Sequence, residues 1–333
     1  MVTTHRFWTL ILVAASAMLP RWTLQPSERH PGYERNIPLP QPVIFAPGII
    51  STGDYETHPT FTPGGDTLLY LKCAADFSTY TICIAYFRAG KWSEPEVAPF
   101  SGTYQDADPF ITSDGKEVYF LSNRPVRSGD TAKADLDIWR IARTARGWDE
   151  PVHLEPPVNS SADEFYPTIT DDGTLYFGSA REGGKGGCDI YCARWREGKY
   201  SAAVNLGDSI NTADNEYEPF IAPDESYMIF MAARPGALRN ADLYVSYRRN
   251  GVWSRSEKLP SPFNSPAIEF SPKVTHDGKY FFFSSTRNTR DPMVAQHETM
   301  GELTMRLRGP GNGLGDIYQV DFSALHLALP AGR

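Results

Sequence analysis

Short apolar and alternating segments, separated by turn residues, dominate the hydrophobic pattern of this 333-residue chain. Within residues 164–181, a β-branched run leads into Asp172-Gly173, and the apolar segment Leu175-Tyr176-Phe177 follows. β-Branched and aromatic side chains fit a pleated strand, and Asp-Gly tolerates the positive φ angles of a tight turn. The segment therefore predicts a β-hairpin, and related hairpins occur five times along the chain.

Each copy of the hairpin begins with an acidic residue and has a proline three residues later. We interpret five repeated acids as structural: Glu56, Asp106, Glu164, Glu216 and Glu269. An arginine that follows the second strand is interpreted as a structural partner in copies two to five: Arg124, Arg181, Arg234 and Arg287. Copy one has Ala74 at that position. A partly buried ion pair of this kind fixes register more than it adds stability.

Two further segments follow the hairpin in copies one to four, and one follows it in copy five. The third segment opens with Asp137-Ile138-Trp139 or its equivalent in copies two to five, and the fourth carries an aromatic residue and ends on serine or asparagine. Four short strands in a period of roughly 40–50 residues are typical of a propeller blade. We therefore predict an all-β fold, a five-bladed β-propeller of four-stranded antiparallel blades, over residues 42–322.

The ends of the repeat region indicate how the ring closes. The last copy has no clear fourth strand after residues 316–322, whereas residues 42–51 form an orphan strand-like segment. Pairing of the N-terminal strand into the last blade would remove two open sheet edges, and we favour it over pairing of residues 324–330 within the C-terminal tail, 323–333. A sixth blade is disfavoured because no residues remain to build it.

The acid-x-x-Pro, Asp-Gly, Tyr-Phe-x-Ser-x-Arg and Asp-Ile-Tyr series resembles the TolB-like β-propeller family, whose units are WD-repeat-like or PD-type repeats. The resemblance covers residues 42–322. It implies a periplasmic, envelope-associated role in a Gram-negative bacterium and a protein or peptide partner. We expect neither a separate N-terminal α/β domain nor an appended peptidoglycan-binding or hydrolase domain, so a specific Tol-system role and the peptidase activity of larger relatives are not implied.

Residues 1–17 have the pattern of a secretory signal peptide. His5 and Arg6 precede an apolar run at residues 7–15, and Ala15-Ser16-Ala17 is a small-x-small cleavage site. The run is too short to span a bilayer comfortably. Residues 18–41 are rich in proline and predict an extended, mobile leader. We expect export across the inner membrane to the periplasm, with no transmembrane segment in the mature chain.

Composition narrows the set of partners. The net charge of −8, with no basic run, argues against nucleic acid and anionic membranes as partners. We expect a monomer that needs no cofactor, although carboxylates at a channel rim offer the oxygen ligands that calcium prefers. Carbohydrate remains an alternative ligand.

Four cysteines remain in a chain expected to be exported. Cys73 and Cys83 fall on neighbouring predicted strands, so a disulfide between them is a candidate tie for the first blade. Cys188 and Cys192 are four residues apart, which is too far for a bridge along one strand unless Cys188 lies in the preceding loop. No histidine lies near them in sequence, so we do not expect a zinc site.

Functional residues are expected where the repeat varies. The residue before each repeated proline has the parity of the repeated acid, so both point to one face of the inner strand. We predict that these five residues converge as a binding rim at one mouth of the channel, although a solvated funnel mouth would look the same: His58, Asp108, Tyr166, Glu218 and Ser271. The long loop at residues 288–314 is expected to form a lid or rim contact.

Two classes of function fit this pattern. The first is an exported, non-catalytic propeller scaffold that binds a protein or peptide partner in the cell envelope through one mouth. The second is a five-bladed glycoside hydrolase or carbohydrate-binding protein, with Asp54, Asp108 and Glu218 as the candidate catalytic carboxylates. No Gly-x-Ser-x-Gly, His-Glu-x-x-His or phosphate-loop motif is present in the sequence, which favours the first class.

Overall fold

Five antiparallel sheets follow one another around a ring in a computed structural model, which describes residues 30–235, 241–290 and 297–329. Each sheet corresponds to one sequence repeat. The first strand of every blade packs beside the first strand of the next, and blade 5 packs beside blade 1. The fold is therefore the five-bladed β-propeller that the sequence predicts. The predicted signal peptide, residues 1–17, lies outside the described residues, as do residues 18–29 of the leader.

The strands are short, and their bounds match the repeats. Blade 1 contains Tyr55–Phe61, Thr67–Cys73, Tyr80–Arg88, Lys91–Trp92 and Glu96–Val97. Blade 2 contains Asp106–Ile111, Glu117–Ser122, Asp137–Thr144, Gly147–Trp148 and Val152–His153. Blade 3 contains Glu164–Ile169, Leu175–Ser179, Asp189–Ala193 and Val204–Asn205, with a small hairpin at Trp195–Arg196 and Lys199–Tyr200. Blade 4 contains Asn215–Ile221, Tyr227–Ala233, Asp242–Arg249, Val252–Trp253 and Glu257–Lys258. Blade 5 contains Glu269–Val274, Tyr280–Ser285, Asp316–Asp321 and Val43–Ile44.

The outer segment of each blade is attached by side chains as well as by its short strand. In blade 3, Oδ1 of Asn211 accepts a hydrogen bond from the backbone N–H of Ile190 at 2.8 Å. Nδ2 of Asn211 donates to the backbone carbonyl of Ile190 at 2.9 Å. Asn159 and Asn264 make the same pair of bonds in blades 2 and 4. These bonds replace backbone ladder bonds, which explains why asparagine ends three of the outer segments.

The N-terminal strand closes the ring. Val43 pairs with Gln319 and Ile44 with Tyr318, so residues 43–44 form the outer strand of blade 5, as predicted. Phe45, which is buried, then packs edge-on against Phe61 of blade 1 and Phe282 of blade 5. The closing segment therefore contributes both ladder bonds and an apolar anchor between the first and last blades.

The predicted leader packs differently from its sequence expectation, whereas the C-terminal tail leaves the edge of blade 5 to the N-terminal strand, as expected. Within the part of the predicted leader that the structure describes, Tyr33 is fully buried and its ring contacts those of Phe61, Tyr280 and Phe282. At the other end, a 3₁₀ helix, Phe322–Leu325, follows blade 5, and the ring of Phe322 stacks on Tyr227 of blade 4. The C-terminal tail thus lies beside the hairpin turns and does not pair with the edge of blade 5.

The repeated acids are buried and paired within their own blades. An arginine nitrogen lies 2.7–3.0 Å from the acid in blades 2 to 5, in the pairs Arg124–Asp106, Arg181–Glu164, Arg234–Glu216 and Arg287–Glu269. In blade 1, which lacks the arginine, Lys72 lies 3.2 Å from Glu56. Each arginine also stacks over two aromatic rings of its own blade. These contacts hold the first and second strands of each blade in register.

The loop that follows residue 288 contains one helix, Met300–Arg308. Thr299 caps its N-terminus, and Glu302 completes a capping box. Asn312 donates to the carbonyl of Gly53 at 3.1 Å, so the end of this loop touches the entrance to blade 1. Residues 291–296 of the predicted lid lie outside the described residues. No helix in the described ranges is long and apolar enough to cross a membrane.

Candidate functional site

A bulge interrupts the inner strand of every blade at the residue before the repeated proline. The strand register shifts there in all five blades. The bulged residues all have φ between 47° and 56°: His58, Asp108, Tyr166, Glu218 and Ser271. Positive φ is uncommon for residues other than glycine, and a bulge bends a strand and redirects its side chain. The repeated bulge therefore aims one variable side chain per blade into the central channel.

His58 lies between two carboxylates in this channel. Its Nε2 is 3.0 Å from Oδ1 of Asp108 and 3.3 Å from Oε1 of Glu218. Nδ1 of His58 is hydrogen-bonded to the hydroxyl of Thr57. The imidazole thus connects blades 1, 2 and 4 through one buried cluster.

The second oxygen of each carboxylate is also engaged. Oδ2 of Asp108 accepts the backbone N–H of Tyr166 at 3.0 Å, and Oε2 of Glu218 accepts the backbone N–H of Ser271. The hydroxyl of Tyr166 donates to the carbonyl of Pro272 at 2.8 Å. All five variable positions are therefore joined in a continuous network around the channel.

Charge in this cluster is set by competing effects. Burial lowers the pKa of His58, but Asp108 and Glu218 together raise it to about 9. His58 is consequently an imidazolium at neutral pH, paired with two carboxylates. Burial raises the pKa of Tyr166 well above its ordinary value, and the two carboxylates add to that effect, so its phenol stays protonated.

The cluster forms a plug inside the channel. The five side chains converge, as the sequence predicts, but four of the residues are buried and Glu218 is only partly exposed. They do not form the solvent-facing rim that was expected. Sequence parity gives the face of a strand on which a side chain lies, whereas its depth in the channel depends on how closely the five blades approach.

The three candidate catalytic carboxylates are not brought together. Asp108 and Glu218 meet at His58, but Asp54 is exposed, and its carboxylate lies 2.8 Å from Nζ of Lys72. Asp54 precedes the inner strand of blade 1, at the end of the channel where the repeated acids lie. We call this end the acid mouth.

A cavity of about 890 Å³ opens at the other end of the channel. This end, which we call the turn mouth, is where the hairpin turns around Asp114-Gly115 and Asp277-Gly278 lie. Inner strands of all five blades line the cavity, together with residues 321–329 of the C-terminal segment. Its walls are mainly apolar, and carboxylates stand near the turns: Asp171, Asp224 and Asp277.

Lys273 lies at the floor of this cavity, one residue past the last repeated proline. The residue is 4 % exposed, and its Nζ is 4.6 Å from the ring centre of Phe110, 4.8 Å from that of Tyr166 and 5.8 Å from that of Phe220. Burial lowers its pKa to about 7, although Asp108 and Glu218 oppose that effect. The sequence analysis missed Lys273. Comparing the residues after the five prolines would have shown one lysine among threonines and phenylalanines.

The cysteines are free thiols in the described ranges. The predicted Cys73–Cys83 disulfide is wrong, because the strand register pairs Cys73 with Tyr80 and Cys83 with Tyr70. Cys188 and Cys192 are unbridged as well. Burial raises the pKa of each thiol, so all four are protonated and unreactive at neutral pH. The described residues contain no group of three acidic, histidine or cysteine side chains that could hold a metal ion.

Solved structures resemble this chain at low sequence identity. Neither a family model nor a curated protein matches it. A putative TolB from Agrobacterium tumefaciens is similar over 80 % of this chain and 90 % of that chain, with 16 % identity and a TM-score of 0.47. An α-L-arabinofuranosidase from Lactobacillus brevis covers 82 % of this chain and 92 % of its own, with 13 % identity and a TM-score of 0.47. An α-L-arabinanase from Penicillium chrysogenum covers 84 % and 99 %, with 12 % identity and a TM-score of 0.48.

Proposed function

We propose that this protein is an exported, non-catalytic β-propeller that binds a protein or peptide partner in the cell envelope through its turn mouth. The observation that carries the proposal is the cavity of about 890 Å³ at that mouth, which all five blades line. Ligand sites in proteins are concave, mostly apolar and of this size, with a few polar groups that fix orientation.

The arrangement of the central carboxylates supports a non-catalytic role. An inverting glycosidase needs two carboxyl groups about 6.5–9.5 Å apart with a sugar and a water between them. Here the imidazole of His58 stands between Asp108 and Glu218, and backbone N–H groups occupy their second oxygens. A glycosidic bond could enter the space between the two carboxylates only by displacing the imidazole of His58.

Envelope placement is supported by the sequence. The signal-peptide pattern of residues 1–17 and the TolB-like repeat series both point to export, and an acidic chain suits a protein partner better than an anionic surface. The exposed carboxylates at the turn mouth favour a partner segment that carries basic residues.

Affinity capture from an envelope extract tests which mouth is used. The full protein is compared with Asp171→Arg, which reverses a charge on the turn mouth, and with Asp54→Arg, a matched reversal at the acid mouth. Both residues are exposed, but Asp54→Arg also removes an ion pair with Lys72, so circular dichroism of each variant checks that it folds.

We expect a partner that the wild type and Asp54→Arg capture and that Asp171→Arg loses. Loss in Asp54→Arg alone would move the site to the acid mouth. Release of sugar from arabinan oligosaccharides by the wild type, abolished by Glu218→Gln, would show that the protein is an enzyme.

A further inference from the structure

Lys273 is a buried amine without a carboxylate partner. Among the described residues, no ion pair within 4 Å joins its Nζ to a carboxylate, and three aromatic rings surround the amine. A charged ammonium in a low-dielectric site is unfavourable unless it is paired, and three aromatic rings offset only part of that cost. The two nearest acids, Asp108 and Glu218, are already committed to His58. The amine is therefore the group at the cavity floor that would gain most from an anionic ligand.

The walls of the cavity around Lys273 indicate which chemical group would lie next to the anion of such a ligand. Phe110 and Phe220 flank the amine and also line the cavity, and Ile169, Ile221 and Val274 continue the apolar wall towards the turns. A group that binds here must combine a carboxylate with an adjacent apolar side chain, because the walls offer apolar surface beside one deep amine, which a carboxylate would hold in its charged form.

The turn mouth carries acidic side chains, whereas the floor carries the amine of Lys273. Asp171 and Asp224 are exposed at the opening, and the side chain of Asp277 lies there partly buried beside Lys279. A polyanion would be repelled at the opening before it reached Lys273. A peptide with one carboxylate at its tip and basic residues further back would complement both the cavity floor and the acidic opening. The C-terminal end of a peptide has this polarity, since its carboxylate is at the tip and its side chains follow outward.

We propose that the turn-mouth cavity recognises the free C-terminus of a peptide, with an apolar last residue against the phenylalanine walls and its terminal carboxylate on Lys273. This inference rests on the proposed binding function and specifies its ligand. The ammonium supplies three N–H donors, and a hydrogen bond between two charged groups is stronger than one between neutral groups. Basic residues before the C-terminus lie against the acidic rim.

The test measures binding of the full protein to the peptide Lys-Ala-Lys-Ala-Leu with a free C-terminal carboxylate and to the same peptide as a C-terminal amide. We expect the acid to bind at least about tenfold more tightly than the amide, as for a charge-assisted hydrogen bond. In Lys273→Met the ratio should fall to about one, because only the carboxylate contact is lost. The matched control is Lys279→Met, an exposed lysine near the same mouth, which should keep the wild-type ratio.

Equal affinities of the wild type for acid and amide would overturn the inference, and so would weak or absent binding of both peptides. Persistence of the preference in Lys273→Met would also overturn it. The comparison of the acid and amide peptides on the wild-type protein tests the inference even if Lys273→Met does not fold. Loss of partner capture in Asp171→Arg, together with equal affinities for the two peptides, would leave the proposed function standing and remove only the C-terminal anchor.

Discussion

As pH rises, the titrations of Lys273 and His58 change the free energy of unfolding in opposite directions. Replacing Lys273 should therefore reveal the contribution of His58 by itself. The folded-state pKa of His58 is raised from 6.5 to about 9, so its contribution to stability is fully present below pH 6.5 and is lost as pH rises through about 9. The folded-state pKa of Lys273 is lowered from 10.5 to about 7. Burial of its charged form therefore destabilises the fold at low pH, and that penalty disappears between pH 7 and pH 10.5.

Between pH 7 and pH 9 the two effects cancel in the wild type. The unfolded chain holds a proton on Lys273 and none on His58, whereas the folded protein holds one on His58 and none on Lys273. Because the two states bind equal numbers of protons at this pair, the pair adds no pH dependence. In Lys273→Met the unfolded chain binds one proton fewer, so stability should fall by about 1 kcal/mol per pH unit, or about 2 kcal/mol across the window.

Urea denaturation followed by circular dichroism at pH 7, 8 and 9 measures this difference. The comparison with the wild type removes the contribution of other titrating groups, including the buried thiols and Tyr166. Lys279→Met is the control, because Lys279 is exposed and its replacement should leave the wild-type profile unchanged. Parallel pH profiles for Lys273→Met and the wild type would refute the assignment of these charges.

Three further predictions concern the fold. Arg124→Ala should lower the free energy of unfolding by about 3–5 kcal/mol, because it leaves Asp106 buried and unpaired, whereas Lys116→Ala, which breaks an exposed pair, should change it by less than about 1 kcal/mol. Phe45→Ala should cost about 3–5 kcal/mol in urea denaturation by removing the anchor between blades 1 and 5, and Val43→Ala, at a half-exposed position, much less. Mass spectrometry after denaturation and alkylation without reductant should find all four cysteines modified; an unmodified pair would show a disulfide that this structure lacks.

The repeat pattern determined the architecture because each repeat supplies the strands of one blade, except for the outer strand of the fifth. Period-2 alternation and Asp-Gly turns fix strands and hairpins locally, and five copies without a sixth fix the number of blades. Ring closure also followed from the sequence, since blade 5 lacked an outer strand and residues 42–51 lacked a partner. The repeated acids and arginines fell on equivalent positions, so their contact within each blade is a consequence of hairpin geometry.

The depth of the channel side chains and the pairing register of the strands could be determined only from the tertiary structure. The variable residues such as His58 and Asp108 were identified from their position before proline, but their burial depends on the bulges and on the approach of all five blades, which no single repeat encodes. Cys73 and Cys83 illustrate the same limit, because a shift of three residues along neighbouring strands separates two thiols that the sequence places on one hairpin.

Lys273 is the clearest case of a residue whose meaning depends on the assembled ring. In sequence it is one residue after a repeated proline, and nothing local distinguishes it from an exposed lysine. In the structure, rings from blades 2, 3 and 4 surround its amine, and the cavity at the turn mouth ends on it. The sequence by itself therefore determined the blades and their closure, whereas the environment of each channel side chain was decided by the packing of five blades around one axis, because desolvation and charge pairing there arise only between residues distant in the chain.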